Sequence, residues 1–377
     1  MKIIRLLKIS RWVKVLPFYL FTLLPLHAQT VTSEYQPGVT SEGAIYFLPK
    51  TALRITIQVE KTTYTPGDFC KYAERYLRIK NVLQESSVSY SITTIRQEAF
   101  AVADTTKRYA VRFDPRTSAS NIRLSDDGIL LAINADVSDT PILPSSVIRQ
   151  PSILPSPYKF LGEEILAAGS TAKMAELTAQ EIYDIRDSQN MLTRGQADYM
   201  PKDGEQLKLM LNELKLRDEV LTSLFTGVTT CDTAEYTLTI IPDKAISREV
   251  LFRFSRQLGL LEKDNLAGAP YYIVVEDLKT APPVEPINPK KKTKQVSGIY
   301  VNVPGKLRST ISDTQQTLIS DNFPAGQFGN VELLSGALFN KKYTTHLWLD
   351  PISGAVEKIE AEQPGQYVTD GISYTCQ

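Results

Sequence analysis

The chain has 377 residues, 42 lysines and arginines against 42 aspartates and glutamates, and 42% hydrophobic residues, a globular composition with room for two or three domains and a sizeable core. The balance excludes the concentrated basic face of a nucleic-acid binder, because the one basic cluster, Lys290 to Lys294, sits among prolines and reads as a solvated linker. Histidine occurs only twice, at His27 and His346, so triads and zinc sites built on imidazole have little to draw on.

Residues 1–28 read as a signal peptide. Lys2, Arg5, Lys8, Arg11 and Lys14 precede an apolar run from Val15 to Leu26, and Ala28 before Gln29 offers a small-residue exit. A membrane span wants about 20 apolar residues, and this run is shorter and holds Pro17 and Pro25. An uncleaved anchor is the alternative. No cysteine lies near the exit, so the lipoprotein nucleophile is missing there. The expected location is extracytoplasmic, in the periplasm or associated with the outer membrane. Loss of the five leader cations turns 42 against 42 into 37 against 42, a mildly acidic mature chain. Cys70, Cys231 and Cys376 form an odd set that permits one bridge or none, and their spacing suits no metal or redox pair.

Residues 29–140 read as an N-terminal β domain with one short helix. Leu53 to Glu60 alternates apolar and polar without a break, a half-buried strand. Tyr72, Tyr76, Ile79 and Leu83 predict a helix over Phe69 to Leu83, with Asp68 as its N-cap. Strands resume at Val88 to Ile95, Tyr109 to Phe113 and, after the Asp126-Asp127-Gly128 turn, Ile129 to Ile133.

Residues 141–160 form a proline-rich connector. Residues 161–228 then take a helical period. Met174, Leu177, Ile182 and Ile185 share one side of a helix closed by Gly195. Asp203 with Gln206 opens a second, whose stripe of Leu207, Met210, Leu211, Leu214, Leu221, Leu224 and Phe225 ends at Gly227. Arg217 and Asp218 interrupt that stripe, which sets the middle of the helix against solvent or a polar partner and makes the two the candidate partner contact. A middle β region, 229–281, holds Tyr236 to Ile241, Val250 to Ser255 and Tyr271 to Val275; a Pro/Lys-rich linker, 282–296, leads to a C-terminal β region, 297–377, with Gly298 to Val303 and Thr344 to Leu349. The fold class is α+β: β-rich, with two sandwich-like β regions and an inserted antiparallel helical hairpin.

Two echoes suggest that the β regions are duplicated. Ile45-Tyr46, Leu53-Arg54 and Thr56-Ile57 recur as Ile299-Tyr300, Leu307-Arg308 and Thr310-Ile311, with Pro49 and Pro304 one position out of register. Tyr109 to Asp114-Pro115 echoes Tyr343 to Asp350-Pro351.

Gly43-Ala-Ile-Tyr-Phe-Leu-Pro49, Tyr64-Thr-Pro-Gly-Asp-Phe69, Ser125-Asp-Asp-Gly-Ile-Leu130, Asp198-Tyr-Met-Pro-Lys-Asp-Gly204, Leu224-Phe-Thr-Gly227, Phe252-Arg-Phe-Ser255 and Gly298-Ile-Tyr300 together carry a resemblance. Over nearly the whole mature chain it resembles an uncharacterised family of secreted Bacteroidota proteins known only as a domain of unknown function. The resemblance implies the compartment and the layout, and it transfers no activity and no catalytic residue.

The remaining candidates for chemistry are sparse. In Thr345-His346-Leu347-Trp348-Leu349, alternation sets His346 beside Trp348 and opposite Leu347 and Leu349, on the wetter side of a strand. Asp126-Asp127 and Glu163-Glu164 are adjacent acids that point apart, and no phosphate-binding or nucleophile-elbow motif is present. The expectation is a non-enzymatic binding or scaffold protein with no catalytic, cofactor or metal residues. It would have a protein partner in the cell envelope, met by the helical hairpin or a sheet edge, with Arg217 and Asp218 as the candidate contact and peripheral membrane association left open. The alternative is a carboxylate-dependent hydrolase acting on envelope or dietary glycans or peptides, with two acids brought together by the fold.

Overall fold

The computed structural model describes residues 31–34, 44–112, 121–137, 154–201, 203–283, 298–339 and 343–362. The leader, most of both proline-rich segments, the Asp114-Pro115 turn and Cys376 lie outside the described residues.

The alternation that marks Leu53 to Glu60 extends along β2 (Ala44–Thr65), where Leu53, Ile55, Ile57 and Val59 are buried and the residues between them are wetter. At about 3.3 Å per residue its 22 residues reach roughly 70 Å. It forms a long hairpin with β3 (Ser87–Arg112). Flanked by β1 (Val31–Glu34) and β6 (Val228–Ile240), the pair makes a sheet of order β1-β3-β2-β6. A second sheet is built from β7 (Ile246–Ser255), β8 (Gly259–Leu261), β9 (Ala269–Asp277), β10 (Gly298–Ser312) and β11 (Thr317–Ser335), in the order β11-β10-β9-β7-β8. The third joins β4 (Ile122–Leu124) and β5 (Leu130–Ile133) to β12 (Thr344–Leu349) and β13 (Val356–Glu362), in the order β13-β12-β5-β4. All the strand pairings in these sheets are antiparallel.

The first two sheets face each other across a core that includes Leu53, Ile55 and Ile57 from one and Phe252, Ile273, Leu307 and Ile311 from the other. The third sheet closes a second core with Tyr46, Leu48, Ile299, Val301 and Leu347 where β2 and β10 begin. Sheet membership cuts across chain order, because β6 completes the N-terminal sheet while the third sheet mixes both ends of the chain.

The first echo is a duplicated hairpin. Tyr46 and Tyr300 are 254 positions apart, and Gln97 and Asp321 are 224 apart. Applying the same two offsets turns Ile45↔Ala110, Leu53↔Ala99 and Ile57↔Ile95 into Ile299↔Leu334, Leu307↔Phe323 and Ile311↔Ile319, which are the observed pairs. Both hairpins also shift register twice, first at Phe47/Pro49 and Val303/Gly305, where proline's missing N–H suits an interrupted ladder. Equivalent residues touch: the Tyr46 hydroxyl bonds to Tyr300, and Gln97 Nε2 donates to Asp321 Oδ2 at 3.0 Å. Such self-contacts place an approximate two-fold axis between the sheets. The second echo is not part of the repeat, since the offset takes Tyr109 to Leu333 on β11, whereas Tyr343 leads into β12 of the third sheet.

Helices gather at the turn of the β2-β3 hairpin. The helix expected over Phe69 to Leu83 is only a 3-10 turn, Cys70–Tyr72, and α1 (Ala73–Leu77), because Arg78 adopts a left-handed φ of 59° and ends it. Asp68 caps nothing there; its carboxylate accepts from the Tyr158 hydroxyl. A second short helix, α2 (Glu163–Leu166), leads into the two long ones, α3 (Thr171–Arg194) and α4 (Gly204–Thr226), which form the expected antiparallel hairpin. Gly67 lets the β2 end approach α4 closely: a Cβ there would stand 2.2 Å from the Leu224 carbonyl, which accepts from Phe69 N–H at 2.8 Å.

Candidate functional site

The hairpin is capped as its sequence requires. Ser170 accepts from Lys173 N–H, Asp203 accepts from Glu205 N–H, and Gly195 closes α3 at a φ of 69°. Its proximal half is a packed core in which Leu221, Leu224 and Phe225 meet Ala175, Ala179 and Ile182 of α3 and Phe69 and Ala73 below them. The distal half is different. From Gly204 to Glu219 no described α4 residue is buried, although the segment carries Leu207, Leu209, Met210, Leu211, Leu214 and Leu216. Leu209 is 70% exposed, and Tyr199 in the connecting loop is 69% exposed. Two helices side by side cover only the seam between them, so leucines off that seam stay in contact with water.

Arg217 and Asp218 lie at the boundary of these halves and do different things. Arg186 Nε on α3 donates to Asp218 Oδ1 at 2.9 Å, and Thr222 joins the same group. Asp218 thus ties the two helices together, which explains the break in the apolar stripe. Arg217 donates to Glu213 at 3.2 Å and lies over the Phe160 ring. The exposed apolar residue of this half of α4 is Leu209, with Leu207, Leu211, Leu214 and Leu216 half-buried around it. Sequence reading missed Leu209 and Leu216, which lie seven apart on a second stripe; leucines at more angular positions than one seam can cover were the available signal.

The other candidates stay apart from one another. Leu347 and Leu349 are in the core, as alternation predicts, while His346 and Trp348 share the opposite face with rings 6.0 Å apart. His346 Nδ1 meets the Asn134 carbonyl and Nε2 lies 3.7 Å from Glu362, so its contacts tie β12 to its neighbours. Asp126 and Asp127 are exposed in the β4-β5 turn, and Glu163 and Glu164 open α2. Cys70 is half-buried and Cys231 exposed, both as free thiols.

A polar groove of about 440 Å³ by the β10-β11 turn is lined by two acids, Glu276 and Asp313, with Arg248. Asp313 is committed to its own turn. Its Oδ1 accepts from Gln316 N–H at 2.7 Å and Gln315 N–H at 2.6 Å, and these bonds hold its carboxyl below the ordinary 3.8. Among the described residues no group of three or more His, Cys, Asp or Glu could hold a metal ion, and no helix is long and apolar enough to cross a membrane.

These features define a β-dominated α+β protein: a duplicated-hairpin sandwich, a third sheet at one end and a helical hairpin at the other. Residues 42–357 match the family described as a domain of unknown function, DUF4831, and the chain belongs to that family. No curated protein and no solved structure matches it.

Proposed function

We propose that this is an extracytoplasmic, non-enzymatic binding or scaffold protein that holds a protein partner of the cell envelope through the distal half of its helical hairpin. One observation carries the reading: four turns of a leucine-rich helix, Gly204 to Glu219, project with no buried residue. Leu209 is exposed and the other leucines of this segment are half-buried, so a partner that covered them would recover transfer free energy that the monomer forgoes. The compartment rests on the charged leader, apolar run and Ala28 exit of residues 1–28.

The test places a photo-crosslinking residue at Leu209 and, as a control, at Thr310 on the second sheet, in cells that produce the protein. The reading expects one defined protein adduct from position 209 and none from 310. No adduct at 209, or the same adducts at both, overturns the hairpin surface. Amino-terminal sequencing of the native protein expects Gln29 as the first residue; a start at Met1 overturns the cleaved leader in favour of an envelope anchor.

A further inference from the structure

Among the described residues the first sheet ends on β6, which pairs only with β2, and the pairing runs from Leu53↔Ile240 to Thr65↔Val228 without a register shift. Edge strands are commonly blunted by proline, charged side chains, a bulge or short length. β6 is 13 residues long, reads VTTCDTAEYTLTI, and has no proline, lysine or bulge, its charged residues being Asp232 and Glu235.

The duplication shows what such an edge accepts. Leu53 and Leu307 are equivalent, and they pair with Ile240 of β6 and Asp277 of β9, so β6 and β9 occupy matching places. On β9 the outer edge is filled by an antiparallel strand, β7. On β6 no described strand fills it.

We propose that the occupant is β6 of a second copy, paired antiparallel about Ala234 so that the first sheet continues across a two-fold axis. The strand is self-complementary in this register. To keep the buried face of both sheets on one side, each residue must oppose one of the same parity, so the axis passes through a single residue. Centred on Ala234 the overlap is complete: Val228 faces Ile240, Thr230 faces Leu238, Cys231 faces Thr237, Asp232 faces Tyr236 and Thr233 faces Glu235. Both acids then lie across from hydroxyl groups. Centred on Glu235 the two glutamates would meet, which like charges on paired strands disfavour. The chosen register also covers Tyr236, which is 41% exposed on the free edge.

Sedimentation velocity of the mature chain at micromolar concentrations tests this, and a dimer is expected. Ala234→Lys sets two cations face to face at an exposed position and should weaken dimerisation by about a hundredfold while leaving unchanged the urea midpoint measured at dilutions where both chains are monomeric. In a Cys70→Ser, Cys376→Ser background, Thr237→Cys should oxidise to a covalent dimer through the native Cys231 of the other copy, and the background alone should not. This crosslink decides the matter even if the lysine variant folds poorly. A monomer throughout, a dimer indifferent to Ala234→Lys in a folded chain, or a dimer that Thr237→Cys fails to trap would each overturn the proposal; a foreign peptide on the edge would appear as the first of these.

Discussion

Replacing Tyr46 with phenylalanine removes a single oxygen from the centre of the fold. Tyr46 is fully buried; its hydroxyl accepts from Tyr300 N–H at 3.0 Å and donates to the Tyr300 carbonyl at 3.2 Å. Both groups of Tyr300 need it, because β9 pairs with β10 only over Leu307 to Ser312 and, among the described residues, no strand pairs with the Tyr300 edge. The tyrosine hydroxyl therefore stands in for that missing strand, and burial holds its pKa well above the usual range. Tyr46→Phe would leave one donor and one acceptor unpaired in a partly buried setting, a loss of about 2 to 3 kcal/mol. At about 2.1 cal/mol/K of unfolding entropy per residue, a chain of this size would lose roughly 3 to 4 °C in Tm. Calorimetry and urea unfolding would measure it, with Tyr158→Phe as control, since its hydroxyl bonds to Asp68 at an exposed site. A Tyr46→Phe change within about 0.5 kcal/mol of wild type, the range of ordinary surface substitutions, would refute the argument.

Two further outcomes follow from the hairpin and the groove. Asp218→Ala strands the partly buried Arg186 and should lower stability by about 1 kcal/mol, whereas Arg217→Ala, on an exposed i,i+4 pair, should stay within about 0.5 kcal/mol; urea midpoints showing the reverse order would contradict the placement of the interhelical tie. Asp313 has a folded-state pKa below 3.8, so its turn is stabilised above that value and the stabilisation is lost as pH falls through the lower, folded one. The stability gap between wild type and Asp313→Asn should therefore shrink as pH drops below 3.8, and a gap constant with pH would disprove the carboxylate's role.

Much of the fold was legible because its signals are local. The Leu53 to Glu60 alternation and the Ile182 and Leu221 stripes depend on the period of one element, and the capping residues Ser170 and Asp203 act on their own first turn. The Phe69 to Leu83 helix failed because periodicity registers which side chains can share a face, while Arg78 in the left-handed region decides where the helix stops. Arg217 and Asp218 could be singled out from the sequence, yet only packing distinguished an interhelical tie from a surface pair.

The sequence by itself determined the elements and their buried faces, a paired helical segment between β segments, and one true internal repeat. These follow from short-range spacing, which fixes where each side chain points along its own strand or helix. The tertiary structure decided which strands are neighbours: β6 beside β2, β5 beside β12, and Tyr46 against its own counterpart Tyr300. Antiparallel strands with similar alternation are nearly interchangeable as partners to a local reading. Only the summed burial of three shared cores and the pairing of buried backbone groups selects one arrangement, and among the described residues that same selection left β6 at the edge of its sheet and Leu209 of α4 exposed.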